Sequence, residues 1–517
     1  MHSRRDILKL GAAAGLMLGV SSLAVRSAVA AADPLAFDAT SFTELTETIS
    51  TASGDHEVTY RFWKAIPYVS QPVDVAYQSL NVSLPIRIDG VDIDASKAPI
   101  LLANSVGGYM PSSVAEATGI GGGGMGGMPP AGGGGGEGAP AEAPSGSAMM
   151  VAGGEMVSNA KLALAAGYVV VEPGARGRTL VDADGKYYGV APAAIVDLKA
   201  AVRYLRHNAG VVPGNTEWIV SSGTSAGGAL SALLGASGDD PIFADALAAI
   251  GAAEASDAIF ASGDWCPITD LENADMAYEW NWGGNALQSG ELVDQTVSNE
   301  LKGGFGDYIE SLGLVGIEGP LHGDNYSDHL IATYLQPAAT QYLAALSDAD
   351  RATYLAANPG IGWAEGKASF GWAEFLAHVG ARKKTVPAFD AFDLSAGENN
   401  LFGLDTTEAR HFTTYSLRHA SGNPEAVLDA DLPEKLRQMN PMTFILADNP
   451  RRARHWWIRV GTKDTDTALS VVGNLATALG NRGDAVDAAM YWDAGHGANE
   501  DADAFIAWIG KATGYKG

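Results

Sequence analysis

Solid apolar runs, each followed by a turn or an amphipathic helix, mark both ends of this chain, and the middle lacks them. Residues 78–86 ("QSLNVSLPI") and 99–104 ("PILLAN") read as strands separated by turn residues. From Leu162 onward the rhythm alternates. A buried strand is predicted at 167–174 ("GYVVVEPG"), an amphipathic helix at 191–208, a strand at 216–223 ("TEWIVSSG") and a helix at 226–236 ("AGGALSALLGA"), with a further strand at 257–261 ("DAIFA"). The rhythm returns with a strand at 455–461 ("HWWIRVG"), a helix at 468–481, a strand at 488–495 ("AAMYWDAG") and a closing helix in "ADAFIAWIGKATG". Strands that are apolar throughout, alternating with helices, predict a mainly parallel sheet covered on both faces. Between about 270 and 445 the alternation gives way to helices and loops rich in tryptophan and tyrosine.

Two segments stand outside this pattern. Residues 1–30 combine Arg4-Arg5, a mildly apolar run and a small-residue "AVA" ending, which together resemble a twin-arginine export signal. Residues 119–147 are so rich in glycine, proline and alanine that they offer nothing to a core, and they lack the Gly-Lys-Ser/Thr ending of a phosphate loop, so a disordered surface insertion is expected. The expected organisation is therefore a signal peptide at 1–30, a first core part at 31–269 interrupted by the insertion, a lid at 270–445 and a second core part at 446–517.

Charge and cysteine content narrow the partners. The formal net charge is −27, and removing residues 1–30, which carry a net +3, leaves −30. Such a surface repels phosphate backbones, which excludes nucleic acid as a partner. No stretch after the first thirty residues offers about 18 uninterrupted apolar positions, so no stable membrane insertion is expected. Cys266 is the one cysteine, which leaves stability to packing rather than to an internal disulfide.

Candidate chemistry centres on Gly223-Thr224-Ser225-Ala226-Gly227, a G-x-S-x-G motif between a predicted strand and helix. There the small residues permit a sharp turn that holds the serine oxygen clear of the sheet. A serine nucleophile needs a base and a carboxylate, in the chain order serine, acid, histidine. His496, in "WDAGHGANE", follows the last predicted strand. Asp464 and Asp466, in "VGTKDTDTA", follow the strand before it, and Asp464, first after the strand end, is the better member of a triad. Oxyanion donors are expected from the amide of Ala226 and from Gly107 or Gly108 in "ANSVGGYMP". No cofactor is required.

The stretches "NSVGGYMP", "EPGARGR", "APAAIVDLKAAVRYLR", "GTSAGGALSALLGASG", "DWCPITDLENADMAYEW", "PAFDAFDLSAGENNLFG" and "GTKDTDT" resemble the bacterial tannases, within the α/β-hydrolase group of tannase and feruloyl-esterase-like enzymes. The resemblance runs from about residue 78 to 510, apart from the glycine-rich insertion. It implies an α/β-hydrolase fold with a large, mostly helical inserted lid, and hydrolysis of galloyl esters by Ser225, Asp464 and His496. It also implies a site for a small phenolic ester, with Lys384 (Lys383 competing), Glu398 and Asp466 on the ring hydroxyls and Ile268 against the ring. The family carries proline ahead of that glutamate, where this chain has Gly397. The same machinery would serve feruloyl or simple aryl esters. A non-catalytic binding protein on this scaffold would be expected to have lost at least one of these residues.

Export through the twin-arginine machinery predicts a mature chain beginning near Ala31, periplasmic or extracellular. Replacing Arg4 and Arg5 by lysine should trap precursor in the cytoplasm, and mass spectrometry finding Met1 intact on exported protein would contradict the assignment.

Overall fold

The computed structural model describes residues 33–122, 124–125, 148–150 and 156–516. The segment expected to direct export and most of the glycine-rich stretch lie outside the described residues. Nine strands form the spine: β1 (Thr43–Thr51), β2 (Gly54–Pro67), β3 (Ser79–Ile88), β4 (Ile100–Ala103), β5 (Val169–Pro173), β6 (Ile219–Thr224), β7 (Ala261–Trp265), β8 (His455–Gly461) and β9 (Ala485–Tyr491). Their order in the sheet is β1-β2-β3-β5-β4-β6-β7-β8-β9, and a two-residue strand, Val91–Asp92, pairs onto β3. The first three strands run antiparallel to their neighbours, and every pairing from β5 to β9 is parallel.

Parallel strands need crossovers, and helices supply them on both faces. The helices used below are α1 (Asn159–Ala165), α2 (Ala193–His207), α3 (Ala226–Ala236), α4 (Leu271–Trp282), α5 (Trp372–Val379), α6 (Gly397–Leu401), α7 (Leu469–Asn481) and α8 (Ala502–Thr513). Every residue of α3 is buried, because the helix lies across the middle of the sheet. This is the α/β-hydrolase architecture, with a mostly helical lid inserted between β7 and β8.

Three local expectations shift. The strand expected at 257–261 lies at 261–265. Asp257 is drawn into a buried ion pair with Lys199 (2.7 Å) and a second with Arg203 (2.8 Å), so this apolar-looking stretch is an approach to the sheet. "ASGDW" can be the strand because its small residues let neighbours in: a side chain at Gly263 would meet the Phe505 ring at 2.8 Å. The strand expected at 488–495 occupies 485–491. Its ladder with β8 ends at Tyr491 opposite Gly461, and Asp493, at φ 61°, turns the chain away. The β1–β2 hairpin had no counterpart among the expected elements; one face of β1 is polar and exposed, leaving little apolar signal.

Within the lid, α4 acts as a strut. Glu279 on α4 and Arg382 form a fully buried pair, Nη1 to Oε2 at 2.7 Å and Nη2 to Oε1 at 2.5 Å. Ser298 donates to the same carboxylate, and the guanidinium also donates to the carbonyls of Lys384 and Thr385. The pair thus fixes the loop carrying Lys383 and Lys384. Arg382→Ala leaves a buried carboxylate without its counter-ion and should cost about 3–5 kcal/mol. Denaturant unfolding would show it, and a change within about 0.5 kcal/mol, the ordinary surface range, would show the strut to be dispensable.

Candidate active site

Ser225 sits in the turn from β6 to α3 with φ 60° and ψ −122°, a backbone region costly for a residue with a side chain. The surroundings hold it there. Its N–H donates to the Trp265 carbonyl (2.9 Å), and its carbonyl accepts from the amides of Ala229 (2.9 Å) and Ile268 (3.4 Å). The flanking glycines are required by close approach: a Cβ at Gly223 would lie 2.2 Å from the Gly227 carbonyl oxygen, and one at Gly227 would lie 2.6 Å from that of Val106. The amide of Asn104, past the end of β4, donates to the carbonyls of Ser222 (3.2 Å) and Gly227 (3.1 Å), clamping the next loop to the turn.

Two further strand ends deliver polar partners. His496 follows β9, and its Nε2 lies 2.9 Å from Ser225 Oγ; its Nδ1 lies 2.8 Å from Oδ2 of Asp464, which follows β8 and is fully buried. With Nδ1–H donated to the carboxylate, Nε2 is left to accept the serine proton. Burial disfavours charge on the imidazole, yet Asp464, with Cys266 as a second contributor, holds its pKa well above the ordinary histidine value. Among the described residues, Cys266, Asp464 and His496 are the one group compact enough to hold a metal ion, with ligand atoms within 4.8 Å of one another. Asp464 and His496 are already committed to the hydrogen-bonded chain.

Asp466 approaches the same histidine, its Oδ2 3.9 Å from Nδ1, and its backbone N–H donates to Asp464 (2.9 Å). Burial would raise the Asp466 carboxyl, but His496, Lys383 and Lys384 outweigh it and hold it below the usual carboxylate range. Of the two lysines, Lys383 makes the ion pair with Asp466 (2.7 Å), while the Lys384 ammonium lies 3.9 Å from the centre of the Phe389 ring. Buried Ile268 borders Ser225, and its carbonyl accepts from the Tyr109 hydroxyl (3.0 Å).

The amide of Ala226 opens α3 and so has no carbonyl partner within the helix. Gly107 and Gly108 follow Val106, whose carbonyl packs on the turn; the Gly107 carbonyl accepts from Met110 N, and Gly108 has φ 54°. Glu398 is half-buried at the start of α6, where neighbouring Asn399 donates to Asp390 (2.7 Å). Asp275 of α4 accepts from the amides of Phe389 and Asp390, so one helix supports both lid segments. The sequence reading had given no part to Tyr109, to Arg178 or to the contact of Cys266 with the imidazole. Each lay inside a motif already singled out, but their partners are about 70 or more residues away in the chain, beyond the reach of local spacing.

A serine on a strained strand-to-helix turn, with carboxylate and histidine delivered by the last two parallel strands, defines an α/β-hydrolase. The family described as BD-FAE matches residues 146–302. No curated protein sequence matches the chain. Among solved structures, the tannase of Fusobacterium nucleatum is 34% identical with a TM-score of 0.73, covering 92% of this chain and 99% of its own. The tannin acyl hydrolase of Lactobacillus plantarum is 33% identical with a TM-score of 0.73, covering 92% and 98%. A tannin acyl hydrolase solved in complex with ethyl gallate is 33% identical with a TM-score of 0.72 and the same coverage. The chain belongs to the tannase family, whose members are ester hydrolases.

Were His496 to act as base towards Ser225, only the neutral imidazole could accept the proton, and a raised pKa would move the acid limb of activity upward. For an ester without ionisable groups, kcat/KM should climb with pH through a midpoint above 6.5, the ordinary histidine value. A midpoint at or below 6.5 would contradict the electrostatic coupling to Asp464.

Proposed function

We propose that the protein is an exported serine esterase that hydrolyses galloyl-type esters to gallate and an alcohol through an acyl-enzyme. The observation that carries this reading is the continuous chain from Ser225 Oγ through His496 to buried Asp464, at 2.9 and 2.8 Å. Ser225 Oγ attacks the ester carbonyl carbon while His496 Nε2 takes the hydroxyl proton. Asp464 fixes the imidazole tautomer and stabilises the imidazolium. Collapse of the tetrahedral adduct breaks the bond to the alkoxy oxygen, which leaves with the proton from His496; water then repeats the sequence on the acyl-serine and releases the acid. Negative charge on the carbonyl oxygen is met by the Ala226 amide and by one from Gly107 or Gly108.

Lys384, Glu398 and Asp466 recognise the ring hydroxyls, with Ile268 against the ring face. Three adjacent hydroxyls call for acceptors and a donor, which two carboxylates and an ammonium supply. The Lys383 pair with Asp466 keeps that carboxylate charged and available as an acceptor. The arginine pair at the head of the chain supports export to the periplasm or beyond. No helix among the described residues is long and apolar enough to cross a membrane.

An ester panel with active-site labelling tests the reading. Ser225→Ala should lose on the order of 10⁴- to 10⁶-fold in turnover and all labelling by a fluorophosphonate. Asp464→Asn should collapse turnover on every ester. Asp466→Asn, Lys384→Ala and Glu398→Ala should each lower kcat/KM for methyl gallate by about 1–3 kcal/mol and leave methyl benzoate nearly unchanged. Near-normal activity of Ser225→Ala would overturn the mechanism. Equal losses on both esters in the ring variants, or faster turnover of methyl ferulate than of methyl gallate, would overturn the substrate assignment.

A further inference from the structure

Arg178, in the loop after β5, touches two parts of the site that nothing in the sequence links. Its backbone N–H donates to the Tyr109 carbonyl and its Nε to the Gly108 carbonyl, both at 2.9 Å. These are consecutive carbonyls of the loop offering oxyanion donors, and both residues are left-handed there, Gly108 at φ 54° and Tyr109 at φ 55°. A tyrosine does not hold that conformation unaided, so the loop depends on outside partners. The other end of the guanidinium reaches the lid: Nη1 donates to Asn400 Oδ1 at 2.8 Å, two residues past Glu398 on α6. A side chain at Gly397 would collide with the same group, since its Cβ would lie 2.9 Å from Nη2 and 3.1 Å from Cζ. Burial lowers the pKa of Arg178, and the nearby Glu398 and Glu408 oppose that by favouring its charge.

We propose that Arg178 is a positioning residue that ties the oxyanion loop to the helix carrying Glu398, and that Gly397 is bare because the guanidinium fills its side-chain space. The inference rests on the esterase reading above. Its consequence is that ring recognition and carbonyl alignment are set together: a ring seated on Glu398 brings its ester carbonyl to a loop whose Gly108 carbonyl the same guanidinium holds. Lysine cannot replace it, because one ammonium lacks the fork that spans Gly108 and Asn400. Gly397 has no left-handed φ, so alanine there is conformationally acceptable and acts mainly by displacing the guanidinium.

The test is a double-mutant cycle on the full chain, with methyl gallate and p-nitrophenyl acetate as substrates. Arg178→Ala and Arg178→Lys should each lower kcat/KM for methyl gallate about 10- to 100-fold through both a raised KM and a lowered kcat, and lower p-nitrophenyl acetate turnover by less than about 10-fold. Gly397→Ala should reproduce the change in selectivity with an unchanged melting temperature. Combined with Arg178→Ala it should add no further loss, because the space it invades is then empty. Multiplying losses in the double variant, or an unchanged gallate-to-acetate ratio in Arg178→Ala, would overturn the proposal while the wild-type enzyme remained a galloyl esterase. Failure of wild-type Ser225 to label or to cleave methyl gallate would overturn the esterase reading and this inference with it.

Discussion

The close approach of three backbone segments around Ser225 is the constraint on which the rest of the site depends. Gly223, Gly227 and Val106 meet with carbonyl oxygens so near that no side chain fits at either glycine. A residue with a side chain at φ 60° is strained, and the Asn104 amide, bridging the carbonyls of Ser222 and Gly227, holds the segments together against that strain. The same clamp presents the serine oxygen above the sheet and fixes where the Gly107–Gly108 loop begins. In the proposed mechanism, nucleophile and oxyanion donors therefore belong to one unit, as preorganised electrostatic stabilisation requires.

Around that unit the lid is held by buried polar groups as much as by apolar packing. The helix α4 shows this most clearly. Tyr278 donates to the Thr465 carbonyl (2.7 Å) and accepts from the Lys384 amide (3.1 Å), and Trp282 donates to the Thr467 carbonyl (2.8 Å). One helix face thus joins the loop of Asp464 and Asp466 to the loop of the two lysines. Its Glu279 secures Arg382, and its Asp275 secures the segment leading to Glu398. Directional contacts of this kind fix distances that apolar packing alone leaves adjustable, which suits the ring recognition proposed for this pocket.

Favourable and unfavourable charge are balanced locally in a protein that is strongly acidic overall. Asp466 stays ionised despite its burial because His496 and two lysines face it. Beyond the pocket, a second lid contact reaches the loop of the histidine itself. Asp493, three residues before His496, accepts from Tyr354 (2.6 Å), pairs with His378 of α5 (2.5 Å) and with Lys463 (2.9 Å), and is held down to about pKa 2. Lid and catalytic loops are therefore joined on both sides of the imidazole.

The sequence by itself determined most of the parallel strands, the G-x-S-x-G turn and the candidate order serine, acid, histidine, because each of these is written in neighbouring residues: apolar runs of strand length, glycines flanking a serine, a carboxylate just past a strand end. Resemblance put forward the lid positions Lys384 and Glu398, whose part in the site is a proposal. What it left undetermined had partners distant in the chain. The strand expected at 257–261 lies at 261–265, a short stretch of small and polar residues that only its neighbours β6 and β8 make central. Lys383 and Lys384 are adjacent and alike in sequence, yet the fold gives one the ion pair with Asp466 and the other the face of Phe389. Arg178 is 70 residues from Gly108 and 222 from Asn400, and its place between them exists only once β5 and the lid are packed side by side. Local pattern encodes the elements and the turn because their energetics are local; pairings across the fold are decided by the packing that brings those elements together.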